Sequence, residues 1–328
     1  MSKVVTKMIY LFFIVILFLI ELGYFKIADK YDIIDKPNHR SSHTRITIRG
    51  GGIIFPISII IWFVYSGFQY PFFVIGLLII STVSFLDDIK EFSKRWRLLA
   101  HLFAVLLVII QFNLLALNGL LITVIFIFFI GIINAYNFMD GINGITGVYS
   151  FVCLLTLLWI NKYQISFIEN SLLWVTAIAV MVFNFFNFRI KATCFAGDVG
   201  SISIAFIICF FLLKLILQTQ DVRYILLLAV YGVDSVFTII IRLLKKENIF
   251  LPHRSHLYQL LANEHKYNHL LIAGMYGFVQ LLINITIINS FKWGSCLVLV
   301  TYIFVLGVIY LILRLNLSKK QLSKTVNV

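Results

Sequence analysis

Acidic residues are scarce in this sequence: Asp and Glu number 14 among 328 residues, whereas Lys and Arg number 27. Cysteines are also few, and Cys153, Cys194, Cys209 and Cys296 show no CxxC or other ligand spacing. This scatter argues against both a disulfide framework and a zinc site. No sequence repeat and no low-complexity linker divides the chain, so we predict a single domain spanning residues 1–328.

Apolar side chains, in contrast, are abundant. The chain is 61% hydrophobic and 12% charged, with a mean hydropathy of +0.99, a composition that excludes a soluble globular protein of this size. At roughly 20 residues per crossing, we predict an all-α, polytopic membrane helix bundle with about eleven transmembrane helices, or about ten, because several runs are short or separated by a tight turn such as Asn118-Gly119. The runs are 8–25, 51–67, 71–86, 98–117, 120–137, 144–161, 171–188, 201–217, 223–243, 270–289 and 293–314. The first has no small-residue cleavage site after it, so we expect a retained helix.

Positive charge is distributed unevenly between the two sets of segments that connect these runs. One set comprises 26–50, 87–97, 138–143, 189–200, about 242–269 and the C-terminal tail. This set holds all Lys and Arg residues except Lys3, Lys7, Lys162, Lys214, Arg223 and Lys292. Because cytoplasmic loops are enriched in Lys and Arg, we predict that it is cytoplasmic, with the N-terminus outside and the C-terminus inside. The net charge of +13 thus reflects topology, and no nucleic-acid-binding motif accompanies it.

Asp87 and Asp88 are adjacent at the end of the apolar run 71–86. Two neighbouring carboxylates at a membrane boundary are costly, because each raises the free energy of ionising the other. A chain so poor in acids has little reason to place two there for packing alone. We therefore predict that the pair handles a cation or a proton.

Four further polar motifs lie in the same predicted cytoplasmic set. They are DKPNHRSSH at 35–43 leading to RGGG at 49–52, NAYNFMDGING at 134–144, GDVGS at 197–201 and HRSHLYQ at 253–259. Their carboxylate and amide oxygens are hard ligands that suit Mg²⁺, and their Arg and His side chains complement phosphate oxygens. Asn134, Asn137 and Asp140 are three residues apart and would share one helix face. The combination indicates phosphoryl transfer at one cytoplasm-facing site.

Each motif also has a simpler interpretation. Asp87 and Asp88 would suit a solvated helix end, and Asn134 and Asn137 would suit hydrogen bonds between helices. The segment 197–201 would suit an N-cap, 253–259 a loop that faces lipid headgroups, and the glycines at 50–52 a flexible turn. None of these interpretations explains why all five motifs lie on one side of the membrane.

At these positions the chain resembles the polyprenyl-phosphate N-acetylhexosamine-1-phosphate transferases of glycosyltransferase family 4. The matching stretches, in the family's order, are DDIKEFSKRWRLL, NAYNFMDGING, GDVGS and PHRSHLYQ. The family includes the bacterial undecaprenyl-phosphate N-acetylglucosamine-1-phosphate transferases. The segments DKPNHRSSH, RGGG and HRSHLYQ are most similar to the subgroup that initiates O-antigen, the polysaccharide of lipopolysaccharide, and related surface polysaccharides.

The resemblance implies a reaction. A UDP-N-acetylhexosamine gives its sugar 1-phosphate to undecaprenyl phosphate, which yields a diphosphate-linked lipid and UMP. Mg²⁺ is the implied cofactor, and Mn²⁺ is expected to substitute for it. The implied location is the bacterial inner membrane, with the site facing the cytoplasm; membrane lipid is a partner, and a homodimer is compatible with the resemblance.

The resemblance also implies roles for individual residues. Asp87 would deprotonate or position the lipid phosphate with support from Asp88, and Asn137 and Asp198 would ligate the metal. Substrate contacts are expected from Arg97, Asp140, Asn143, His253, Arg254 and His256. Within this group, Arg97 would hold a phosphate, Asn143 would contact uracil, and the last three would bind the diphosphate or the sugar. Arg49, Gly50 and Gly51 are expected to support the first loop.

The chain departs from the family pattern at several points. Relatives often have Asp at the position of Asn143, which excludes an acid–base role there, and usually have Lys at the position of Arg97. Ile46, Thr47 and Ile48 stand where the subgroup often has prolines. The closing motif lacks the three clustered histidines of the peptidoglycan enzyme, which argues against peptidoglycan lipid I synthesis. The motifs do not identify the donor sugar, so GlcNAc, FucNAc and QuiNAc all stay candidates.

A proton-coupled transporter is the competing functional class, since many spans and acids near the membrane also suit a carrier. Carriers bind their substrates near the bilayer midplane, commonly between inverted repeats. Here the acidic motifs lie at one boundary and no repeat is visible, which favours the enzyme.

Overall fold

The computed structural model describes residues 3–36, 45–90, 92–249, 251, 253–290 and 293–326. Most of the motif at 35–43 therefore lies outside the described residues, namely Pro37, Asn38, His39, Arg40, Ser41, Ser42 and His43. The helices are α1 Lys3–Lys30, α2 Ile54–Tyr65, α3 Pro71–Ile89, α4 Lys94–Gln111, α5 Gly119–Met139, α6 Ile145–Tyr163, α7 Asn170–Asn187, α8 Gly197–Thr219, α9 Ala229–Leu244, α10 Leu257–Gln259, α11 His269–Ile288 and α12 Ser295–Val326. Two short strands, β1 Ile34–Asp35 and β2 Thr47–Ile48, pair antiparallel.

Local sequence signals place several helix ends. Pro71 occupies the first turn of α3, where its missing N–H costs nothing. The side chain of Asn118 accepts a hydrogen bond from the backbone N–H of Leu121 at 2.9 Å and caps α5. Gly144 precedes α6 with a φ of 83°, a conformation that glycine adopts without strain. Residues suited to turns and helix caps therefore determine where these helices begin, and the apolar runs form the helices themselves.

The predicted all-α membrane architecture agrees with the structure. Each of the eleven predicted runs overlaps a helix, and nine helices of the described residues are long and apolar enough to cross a membrane. The two remaining runs, 51–67 and 98–117, correspond to α2 and α4, which are not among these nine helices. Of these, α2 has only 12 residues, and α4 begins with a cluster of basic residues. The number of crossings and their orientation stay predictions.

Helix α8 lies at the centre of the bundle. It packs against α2, α3, α5 and α6, and 89% of its apolar stretch is buried, compared with 17% for α12. Aromatic side chains fill the space around it: Phe73 of α3 stacks on Phe210 with ring centroids 3.9 Å apart, and Phe112 stacks on the same ring at 5.0 Å. Asp198 therefore lies at the N-terminus of a helix that is packed against four others.

The backbone around residues 48–52 joins this N-terminus directly. Phe195 donates its N–H to the carbonyl of Ile48 at 2.8 Å, and Gly51 donates its N–H to the carbonyl of Phe195 at 2.8 Å. Gly52 then packs on Gly200 so closely that a Cβ on Gly52 would overlap the Gly200 Cα and lie 2.9 Å from the Ala196 carbonyl oxygen. The contact is between backbones, so no side-chain movement could relieve it.

We therefore expect Gly52→Ala to destabilise the protein by about 1–3 kcal/mol, the usual range for overpacking. Gly274→Ala is the matched control, because a Cβ there meets nothing within 4 Å and a helix interior favours Ala over Gly. Thermal unfolding in detergent would compare them with the unmodified chain. Equal melting temperatures for the two variants would contradict the close backbone contact.

Candidate active site

Asp87 and Asp88 end α3 and point in different directions. Asp88 is buried, and its two oxygens accept hydrogen bonds from the backbone N–H groups of Asp198 and Val199, each at 2.9 Å. The Nε atom of Arg49 lies 2.7 Å from Asp88 Oδ1. Asp88 therefore caps the N-terminus of α8 from a neighbouring helix, where the helix dipole stabilises its negative charge.

Asp87 instead faces the start of α4. Its Oδ1 accepts a hydrogen bond from the N–H of Phe92 at 2.6 Å, and its Oδ2 lies 2.6 Å from Arg97 Nη1. The second terminal nitrogen of Arg97 lies 3.1 Å from Asp198 Oδ2. One guanidinium thus bridges two carboxylates, a geometry that its planar fork permits and that a lysine ammonium could not reproduce.

Asp198 is the point at which the predicted motifs meet. Its Oδ1 accepts a hydrogen bond from Asn137 Nδ2 at 3.0 Å, and Arg49 Nη2 lies 3.8 Å from the same oxygen. The Asp198 side chain is 18% exposed, whereas that of Asp88 is fully buried. In contrast to Asp88, Asp198 therefore has side-chain oxygen atoms that a ligand can reach.

A polar cleft of about 270 Å³ opens beside Asp198. Five predicted site residues line it: Arg49, Asn137, Asp140, Asn143 and Asp198. Sequence reasoning did not assign a role to the other lining residues, which are Asp35, Gly141, Ile142, Asn187, Phe195, Ala196, Gly197, Gln259 and His269. Asp87, Asp88 and Arg97 are not part of the lining; Asp87 and Arg97 reach Asp198 from the α4 side.

Asp140 and Asn143 follow the end of α5 and are held by short-range contacts. Asp140 Oδ1 accepts a hydrogen bond from the Thr146 hydroxyl at 2.6 Å. Burial, reinforced by the nearby charge of Asp198, raises the pKa of Asp140 to about 7. Asn143 donates its amide N–H groups to the carbonyls of Arg189 and Ile190 at 2.9 and 3.3 Å, and so ties the α5–α6 turn to the loop before α8.

The first loop is held where the sequence predicted support. Gly50 has a φ of 80°, and a Cβ there would lie 2.5 Å from the Tyr24 hydroxyl, which donates a hydrogen bond to the Arg49 carbonyl at 2.6 Å. A Cβ on Gly51 would lie 2.5 Å from Cys194 Sγ. These contacts fix the backbone of Arg49 and direct its side chain to Asp88 and Asp198.

The structure separates the histidines of the closing motif from the cleft. His256 is buried, and its Nδ1 lies 3.3 Å from Asp234 Oδ1. His253 contacts the Ser255 hydroxyl through Nδ1 at 2.8 Å, and burial together with neighbouring positive groups lowers its pKa to about 4. His253 lines a second cavity described below, and Arg254 between them is partly buried. From this motif, Gln259 is the residue that lines the cleft.

Two acids inside predicted spans were missed. Glu21 lies within the run 8–25, where its Oε1 is 3.7 Å from Cys194 Sγ, and Asp234 lies within the run 223–243. Placing an ionisable residue inside an apolar run costs free energy, so such a residue indicates a polar partner in the fold. That signal was present in the sequence and could have identified both.

The oxygen donors around Asp198 suit a hard cation. Among the described residues, no group of three His, Cys, Asp or Glu side chains is arranged to hold a metal. Asp198 and Asn137, with Asp87 sharing the same arginine, offer carboxylate and amide oxygens only. Mg²⁺ is commonly bound by one or two protein carboxylates, with the other ligands coming from water and substrate phosphates. The donor set therefore fits Mg²⁺, and Asp198 and Asn137 are the residues that could hold it.

The raised pKa of Asp140 gives a prediction for stability. Between its ordinary value of 3.8 and about 7, the folded chain keeps a proton that the unfolded chain has lost. Stability should therefore fall with rising pH across this window, by up to about 1.4 kcal/mol per pH unit, and then level off. Asp140→Asn removes the titration, so its melting temperature relative to the unmodified chain should rise from pH 5 to 7 and be constant above 8.

Thermal unfolding in detergent with EDTA at a series of pH values would test this. Thr146→Val removes the hydrogen bond that favours ionised Asp140, so the pH at which stability levels off should move upward. A pH-independent difference between Asp140→Asn and the unmodified chain would show that Asp140 does not titrate in this range.

The chain is similar to known proteins over much of its length. Residues 70–216 match the model of a family described as glycosyl transferase family 4. This stretch includes α3 to most of α8 and carries Asp87, Asp88, Arg97, Asn137 and Asp198. A "Probable undecaprenyl-phosphate N-acetylglucosaminyl 1-phosphate transferase" from Bacillus subtilis (strain 168) is 25% identical over 309 residues, which cover 87% of this chain and 85% of the relative. These matches confirm the resemblance predicted from the motifs, and they indicate an enzyme that transfers a sugar phosphate.

Proposed function

We propose that this protein transfers an N-acetylhexosamine 1-phosphate from a UDP-sugar to undecaprenyl phosphate, releasing UMP and starting an O-antigen-like surface polysaccharide at the cytoplasmic face of a bacterial inner membrane. The observation that carries the proposal is the convergence on Asp198. Arg49, Arg97 and Asn137 reach its carboxylate from three separate segments, while Asp88 holds its backbone N–H.

The charges of this cluster suit a diphosphate donor. Asp87, Asp88 and Asp198 face two guanidiniums, those of Arg49 and Arg97, so one negative charge is in excess. A bound Mg²⁺ would reverse this excess and supply a Lewis acid for the diphosphate. Asn137 and Asp198 would hold it, and both line the cleft in which the UDP-sugar would lie. Phe195 and Asn143 form another part of the lining, where the Phe195 ring and the Asn143 amide oxygen, which takes no part in the bonds to Arg189 and Ile190, would face the uracil.

The acceptor requires an apolar site next to this cleft. A cavity of about 650 Å³ lies between α5 and α9, lined almost entirely by apolar side chains such as Ile127, Phe128 and Val236. Asn134, Phe138 and His253 also line it. The end of α5 therefore contributes Asn137 and Asp140 to the polar cleft and Asn134 and Phe138 to the apolar cavity. A polyprenyl chain in this cavity would bring its phosphate to the end of α5, beside the donor.

The chemistry then follows from this placement. An oxygen of the acceptor phosphate attacks the sugar-side phosphorus of the donor, a new P–O–P bond forms, and the bond to UMP breaks. The second pKa of a phosphate monoester is about 6, so the acceptor is largely ionised at neutral pH and Asp87 would orient it more than deprotonate it. Arg97, held between Asp87 and Asp198, would offset the charge that shifts to the leaving phosphate.

The proposal predicts UMP release that requires both undecaprenyl phosphate and Mg²⁺. Detergent-purified protein would be assayed with a panel of UDP-N-acetylhexosamines, which also tests the choice among GlcNAc, FucNAc and QuiNAc. Asp198→Asn should lower turnover by about 10²–10³-fold or more, as for loss of a main electrostatic group. Glu169→Gln is the control, because Glu169 pairs with Tyr70 at the opposite end of the bundle. Full activity in EDTA would exclude the metal, and no UMP from any donor would favour the transporter.

Arg97 gives a second test of the same site. Arg97→Ala should lower kcat and raise KM for the donor, because the lost contact strengthens during transfer. Arg97→Lys should retain part of the activity, since the ammonium keeps the positive charge but lacks the planar fork whose two ends contact Asp87 and Asp198. Arg95→Ala is the matched control, since Arg95 is exposed in the same turn of α4. If Arg97 only anchors α4 to headgroups, both alanine variants will show normal turnover per folded molecule.

A further inference from the structure

The second half of the closing motif, the turn His256–Gln259, is held by a buried carboxylate of α9. Asp234 on α9 is 2% exposed, although Val233 and Ser235 beside it line the apolar cavity. Its Oδ1 accepts a hydrogen bond from the N–H of Leu257 at 3.0 Å and lies 3.3 Å from His256 Nδ1. These two contacts fix the start of α10.

Two further donors complete the environment of Asp234. The Tyr276 hydroxyl of α11 donates to Oδ2 at 2.7 Å, and the Thr238 hydroxyl donates to Oδ1 at 3.2 Å. Thr238 in turn contacts the Tyr310 hydroxyl at 2.8 Å and Arg314 Nη1 at 3.3 Å, both from α12. A buried carboxylate is stabilised only when its oxygens are satisfied in this way. Asp234 thus joins α9, α10, α11 and α12 at one point.

The turn held by Asp234 reaches the candidate active site through two residues. Tyr258 donates its hydroxyl hydrogen to the Phe138 carbonyl at 2.8 Å, which satisfies an acceptor in the last turn of α5 that has no partner within the helix. Tyr258 also packs against Gly141 with no room for a Cβ. Gln259 accepts a hydrogen bond from the N–H of His256 and lines the cleft.

We propose that Asp234 is a positioning residue for the Mg²⁺ and donor site. Its carboxylate fixes the His256–Gln259 turn, that turn caps α5 at Phe138, and the cap sets Asn137 and Asp140 at the edge of the cleft. The inference rests on the proposed function. It also gives His256 a role: the imidazole holds the turn to Asp234, and its effect on substrate is exerted through Tyr258 and Gln259.

Three variants of the full chain test the inference. Asp234→Asn leaves one carbonyl-type acceptor for four donors, and Tyr258→Phe removes the cap on α5 while leaving the Asp234 contacts intact. Asp221→Asn is the control: Asp221 pairs with Arg223 at 2.6 Å just beyond the far end of α8, about 35 Å along the helix from Asp198. Asp221→Asn therefore removes the charge of another buried carboxylate at a place that is far from the candidate active site.

The main measurement is Mn²⁺ binding in detergent with UMP present, followed by electron paramagnetic resonance, with donor KM, kcat and melting temperature measured alongside. Asp234→Asn and Tyr258→Phe should each weaken Mn²⁺ binding by about tenfold, as loss of groups that orient metal ligands does. Asp221→Asn should lower the melting temperature but bind Mn²⁺ as the unmodified chain does. That difference separates positioning from general stability.

Unchanged Mn²⁺ binding in Tyr258→Phe and Asp234→Asn would overturn the inference. If Asp234→Asn does not fold, Tyr258→Phe decides the question. The unmodified chain tests the proposed function separately: if it neither binds Mn²⁺ nor releases UMP from a UDP-sugar, the proposed function fails and the inference falls with it. If it does both and the variants match it, Asp234 is a structural anchor alone.

Discussion

The capping of α8 by Asp88 is the interaction on which the candidate site depends. One carboxylate accepts two backbone N–H groups at the start of the central helix and pairs with Arg49, so it joins α3, the first loop and α8. The removal of the Asp88 carboxylate from water is compensated by charge-assisted hydrogen bonds that fix its geometry. Asp198 is the first acid on α8, and its direction is set by this cap.

The two neighbouring acids at 87–88 thus perform different tasks. Asp88 is satisfied by backbone and Arg49, whereas Asp87 and Asp198 share Arg97. The guanidinium of Arg97 contacts both carboxylates and so holds them close together. Asp87 and Asp198 thus lie among polar groups at the end of an apolar bundle, and Asp198 is held in place by the central helix α8. This division explains how a chain with few acids can place three of them within one small volume.

Much of this arrangement could be predicted from the sequence. The apolar runs predicted every long helix, because a membrane-crossing helix must satisfy its own backbone. The motifs predicted that Arg49, Asn137 and Asp198 come together. Side-chain direction could not be predicted, since it depends on the partner that packing supplies: Asp88 turns to backbone N–H groups from residues 198 and 199, and His256 turns to Asp234. Motifs identify residues, whereas tertiary contacts decide which of them reach the cleft.

The link between Asp88 and α8 also has a consequence for how the protein is made. Asp88 and Asp198 are 110 residues apart in the chain, and the intervening helices enter the membrane before α8 is synthesised. During that interval Asp88 has no helix to cap, and the nascent bundle holds a carboxylate at its boundary without its final partners. Insertion of α8 therefore gives Asp88 the backbone N–H groups that it caps and brings Asp198 to Arg97 in one step. A ribosome-bound chain that ends before Gly197 would carry Asp87, Asp88 and Asp140 but would lack both Asp198 and the helix end that Asp88 caps.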